Sequence, residues 1–143
     1  MNPAKTLFTR LLLLTIALTV FLLACKKEDV QNNSTDPLIG SWKMKALIVN
    51  GQSTDVSNAA CFKNSTLNVN AKEFTMYTSV PKDDGGCEEN TSKAAWVNAG
   101  GKYYEVNGEE RILLDLSFRD NNQIVQINAP NGSGGTIGLV YGK

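Results

Sequence analysis

The chain has 143 residues, 42% of them hydrophobic, with 14 basic residues against 14 acidic ones and no histidine. That balance excludes a strongly basic nucleic-acid surface, and the missing histidine removes the commonest general base near neutral pH and a common zinc ligand. The length leaves room for one small domain with one core.

The first element in chain order is the apolar run Leu11–Ala24, LLLLTIALTVFLLA. It is shorter than the roughly 20 residues a membrane-crossing helix needs. Lys5 and Arg10 precede it as a positive n-region, and small Ala24 stands where a signal peptidase reads, so residues 1–24 are expected to be a cleaved address. Leu22-Leu23-Ala24-Cys25 resembles the lipobox of bacterial lipoproteins. That resemblance implies a lipid on the Cys25 thiol, cleavage that leaves Cys25 first, and membrane lipid as a partner through the acylated residue. Several acyl chains on one residue anchor stably, whereas one chain, at about 0.8 kcal/mol per buried methylene, holds only marginally. Lys26-Lys27-Glu28-Asp29 is similar to the lysine-plus-acidic signal that sends some lipoproteins to the outer face of the outer membrane. The implied location is the bacterial outer membrane, facing the cell surface, with the periplasmic face as the alternative; a plain solvated charge run is the other reading of these four residues.

Residues 30–37, VQNNSTDP, are polar and without apolar period, so 25–37 reads as the lipidated cysteine plus a flexible tether and 38–143 as the folded domain. Loss of Lys5 and Arg10 leaves 12 basic residues against 14 acidic ones, a nearly neutral mature chain with no evident nucleic-acid partner.

From there the signal is almost entirely period two. In GSWKMKALIV, Gly40, Trp42, Met44, Ala46 and Ile48 fall on one face and Ser41, Lys43 and Lys45 on the other, the alternation of a half-buried strand. Asn50-Gly51 follows as a turn. STLNVN puts Leu67 and Val69 together, and EFTMYTSV does the same for Phe74, Met76 and Thr78, which predicts a hairpin. SKAAWV and KYYEV flank a turn at 98–101. ERILLDLSF aligns Ile112, Leu114, Leu116 and Phe118; another turn at 119–122 leads into QIVQIN, and the chain closes with the loop APNGSGG and TIGLVYGK. About eight short strands at this spacing predict an all-β barrel or sandwich. Trp42 and Trp96 both lie outside the Cys61 to Cys87 interval, which weakens an immunoglobulin-like sandwich.

Leu38-Ile39-Gly40-Ser41-Trp42 resembles the G-x-W first strand of the lipocalins, and the later Cys61, Cys87 and Trp96 match the lipocalin-like domains of bacterial lipoproteins. The resemblance implies a small up-and-down antiparallel barrel whose Trp42 packs across one end. No counterpart of the later lipocalin motifs, such as a closing arginine, is visible.

With Cys25 lipidated, Cys61 and Cys87 remain as a pair outside the cytoplasm and are expected to bond, a link worth roughly 3 kcal/mol in the chain-entropy model. No metal is expected, since zinc wants further Cys or His ligands, and the acidic loop 83–89 lacks EF-hand spacing for calcium. NGSGG lacks the Lys-Ser or Lys-Thr of a phosphate loop. No cofactor is implied. An enzyme would have to work with carboxylates such as Glu105, Glu109, Glu110 or Asp115, each of which also reads as an ordinary strand or turn residue, so the chain is read as non-enzymatic.

Two functions remain. In one the barrel binds a small apolar ligand, with Trp42, Met44, Leu67, Phe74, Met76, Trp96, Tyr104, Leu114 and Phe118 as candidate lining. In the other the same side chains fill the barrel, and a displayed loop, 81–90, meets a protein partner.

Overall fold

The structure is a computed structural model and describes residues 32–131 and 134–143. The apolar run, Cys25 with its lipobox and the charged stretch 26–29 lie outside the described residues.

Ten strands follow one another among the described residues: β1 (Gly40–Val49), β2 (Gln52–Asp55), β3 (Thr66–Val69), β4 (Glu73–Pro81), β5 (Cys87–Ala99), β6 (Lys102–Asn107), β7 (Glu110–Leu113), β8 (Asp115–Arg119), β9 (Ile124–Pro130) and β10 (Thr136–Gly142). Hydrogen bonding orders them β7-β6-β5-β4-β3-β1-β10-β9-β8, with β2 a short hairpin strand on β1. Every pairing is antiparallel. The two ends of that path, β7 and β8, are separated only by Leu114. They are two halves of the run ERILLDLSF, the first bonded to β6 and the second to β9. One bent strand thereby brings the sheet back on itself as a nearly closed up-and-down barrel.

Turn chemistry sets the register. Asn50 and Gly51 (φ 52° and 77°) join β1 to β2, and Gly100 and Gly101 (φ 63° and 84°) join β5 to β6, both two-residue turns that need left-handed backbone. The β8–β9 turn holds Asp120, Asn121 and Asn122 all at positive φ, which these short polar residues tolerate better than others.

Two inward faces differ from the sequence reading. β1 has a bulge between Met44 and Ala46, so Leu47 rather than Ala46 or Ile48 joins the core. Met44 opposes Tyr141 and Leu47 opposes Leu139, which keeps both pairs facing the interior. On β6 the buried tyrosine is Tyr103, not Tyr104.

Segment 82–86 alone forms the tip that was expected to span 81–90; Cys87–Asn90 belongs to β5, paired with Thr78–Pro81 of β4. The Cys61–Cys87 disulfide, Cα to Cα 5.6 Å, ties this hairpin to the 3-10 turn Phe62–Asn64 that precedes β3. Beside it, the buried Ser65 hydroxyl donates to Ser79 O at 3.3 Å and accepts from Ser79 N at 2.9 Å, extending the β3–β4 contact where the backbone ladder stops.

Candidate functional site

One end of the barrel is shut. Trp42 is fully buried, and its indole Nε1 donates to Leu38 O at 2.9 Å, which holds the segment before β1 across the opening. Residues 32–37, polar enough to read as tether, are bonded into this end. Asn32 Nδ2 donates to Ala71 O (3.0 Å) and Trp96 O (2.8 Å), while Asn32 Oδ1 accepts from Asn98 N at 2.8 Å. Asp36 accepts from Tyr103 OH (3.0 Å), Asn98 Nδ2 (2.7 Å) and Leu38 N (2.9 Å). Burial first, then the bond to Asp36 and its charge, hold the Tyr103 phenol well above its ordinary pKa. Rings fill the space above: Trp96 stacks on Tyr103 at 5.9 Å, Tyr103 meets Phe118 edge-on at 5.8 Å, and Phe118 lies 6.4 Å from Trp42.

Lys143 Nζ stands 4.5 Å from the centroid of the Trp42 ring and donates to Pro37 O at 3.2 Å. This cation sits on the floor tryptophan, the place for which the sequence offers no arginine. Nothing in the pattern around Lys143 marks it, because the contact is made between the two ends of the folded domain.

Above Leu38 the interior opens into a cavity of about 290 Å³. Leu67 and Val69 of β3, Phe74 and Met76 of β4, Leu114 and Leu116 at the bent strand, and Ile127 and Ala129 of β9 form its apolar wall. Ser92, Glu105, Asp115 and Asn128 are its polar members. Five consecutive residues, Ile112 to Leu116, and four more, Ile127 to Pro130, all border it. Consecutive strand residues ordinarily face opposite sides of a sheet. Their joint presence places the opening at the gap where β7 stays with β6 and β8 joins β9. Ile112 and Leu113, 51% and 58% exposed, form its apolar rim.

Of the residues expected to line a cavity, Leu67, Phe74, Met76 and Leu114 do so. Trp42, Met44, Trp96 and Phe118 do not; they belong to the packed cluster that shuts the barrel. Tyr104 is outside both, because its neighbour Tyr103 holds the inward position. Glu105, weighed in the sequence only as a carboxylate for catalysis, lies in the wall. Alternation from Tyr103 would have placed it there.

Among curated proteins none matches the chain. Similar solved structures include a redesigned β-barrel, 9% identical, covering 78% of this chain and 96% of that one at a TM-score of 0.44. Lobster apocrustacyanin A1 is 10% identical, covering 82% of this chain and 76% of that one at 0.41. Apocrustacyanin C1 is 13% identical, covering 75% and 61% at 0.38. The sequence profile of the lipocalin-like domain matches residues 38–131, from the strand of Trp42 through the whole cavity wall to Asn131, and the chain belongs to that family.

Proposed function

We propose that this protein is a binder of a small apolar molecule, held to a membrane through an acylated Cys25. The observation that carries the binding reading is the cavity itself. A barrel of this strand number is either filled by its side chains or hollow enough for one small ligand, and about 290 Å³ remains empty here behind an apolar rim. An apolar cavity of about 150 Å³ accepts benzene, so this one has space for an apolar body about twice that size. Catalysis is not part of the reading: Asp115, one of two carboxylates in the wall, accepts from Asn128 Nδ2 at 3.0 Å, and the wall holds no nucleophile beside a base.

The test is titration of a neutral dye that fluoresces in apolar surroundings, with Met76→Phe as the variant. Met76 lies in the wall, so the larger ring occupies the space the dye would take. Saturable binding in the parent, lost in Met76→Phe with the melting temperature kept, supports the reading. Absence of binding in the parent, with Met76→Phe destabilising by about 1–3 kcal/mol as overpacking does, refutes it.

Anchoring rests on the lipobox resemblance and on chain length. From Cys25 to Asn32, where the chain joins the closed end, an extended chain spans at most about 25 Å. A clickable fatty acid should label the parent and not Cys25→Ser; equal label in both ends the anchoring proposal. Display on the cell surface follows from Lys27-Glu28-Asp29, and changing the three to alanine should convert protease-accessible protein on intact cells to protected protein. Equal accessibility discards the surface face alone.

A further inference from the structure

The polar members of the cavity wall are not a random sample of side chains. They are two carboxylates, a hydroxyl and an amide, with no lysine or arginine among them. Asn128 is already engaged, donating through Nδ2 to Asp115 and accepting at Oδ1 from Gln126 Nε2 at 2.8 Å. Glu105 is different. It is half-buried, stands between Trp96 and Ile112 in the ladders of β6, and its carboxylate makes no hydrogen bond or ion pair among the described residues. A carboxylate held at an apolar wall without a partner favours whatever brings it a donor or a positive charge and repels a second anion.

We propose that the ligand is an amphiphile with a cationic or donor-rich head, its amine or ammonium seated at Glu105 and its apolar body against Phe74, Met76 and Ile127, and that fatty-acid carboxylates are selected against. This rests on the binding reading above and adds the chemical class of the ligand.

The experiment displaces the bound neutral dye with three ligands of one chain length, decylamine, decanol and decanoate, near neutral pH. The amine should displace it at a concentration about tenfold below the alcohol, the size of one charge-assisted hydrogen bond at a partly buried site, and the carboxylate should be the weakest of the three. In Glu105→Gln the ratio of amine to alcohol should fall to about one. If the three heads compete equally in the parent, the head-group assignment is overturned while the binding reading stands. If the ratio collapses in Asp115→Asn and not in Glu105→Gln, the assignment to Glu105 is overturned. If the dye itself fails to bind the parent, both readings fall together.

Discussion

The two ends of this barrel are held by different forces. The closed end is a polar and aromatic knot in which Asn32 and Asp36 bond to backbone and side chains beneath Trp42, Trp96, Tyr103 and Phe118. The cavity half has an apolar wall, exposed leucine and isoleucine at its rim, and a bent strand where the ladder changes partners. Its tie is covalent, the Cys61–Cys87 bond beside the β4–β5 hairpin. The difference teaches that a small domain can keep empty space in one half when the other half and a cross-link hold the fold. Regions with few buried contacts open at lower free energy than packed cores, and binding sites are drawn from them.

The largest expected effect is at the closed end. Trp42→Ala removes a fully buried ring and its bond to Leu38 O, and should cost about 3–5 kcal/mol in denaturant unfolding. A loss under 1 kcal/mol, within the range of ordinary surface substitutions, would show that the floor is not where stability resides. Next is the double change Cys61→Ser and Cys87→Ser, expected to cost about 3 kcal/mol. Hydrogen exchange should rise in residues 56–64 and 82–87 and stay unchanged in 32–42; a uniform rise would erase the distinction between the ends.

Asn32 sharpens the comparison further, because it comes from a segment whose composition reads as a loose tether. Asn32→Ala strands Trp96 O and Asn98 N in buried surroundings and should cost about 2 kcal/mol. A neutral result would return residues 32–37 to the tether.

The smallest effect has the opposite sign. The Tyr141 hydroxyl is buried without a hydrogen-bond partner, and burial pushes its pKa up to about 12. Tyr141→Phe should therefore stabilise by about 1 kcal/mol near neutral pH. The folded state keeps a phenolic proton that the unfolded chain releases above its ordinary pKa near 10, so stability is constant below that pH and falls as pH rises toward about 12. Tyr103, shifted upward as well, adds to the fall. The slope above pH 10 should be shallower in Tyr141→Phe; an identical slope would assign the alkaline loss elsewhere.

The strands were legible because half-buried β-structure writes itself as alternation, and ERILLDLSF even reads as the single strand that closes the barrel. Inward faces were less so. KMKALIV has apolar residues on both sides of the Lys45 bulge, so either register satisfies the pattern, and adjacent Tyr103 and Tyr104 offer no contrast for a period of two to detect. The polar segment from Asn32 misled for a related reason: composition counts an asparagine as solvated, whereas this one spends its amide on three backbone groups. Period-two alternation separates inside from outside but not one end of a barrel from the other, so it does not distinguish Trp42, Met44, Trp96 and Phe118 from the residues of the cavity wall. Whether the inside is filled depends on the summed volume of residues from seven strands and the bend, and no single segment carries that information.

The central claim, a packed end beneath a hollow one, is tested most directly by X-ray diffraction from crystals of the protein held under xenon, a gas that enters empty apolar cavities. The account predicts xenon among Phe74, Met76, Leu114 and Ile127, and none among Trp42, Trp96, Tyr103 and Phe118. No xenon beside Met76, with side chains closed over the space, would contradict it.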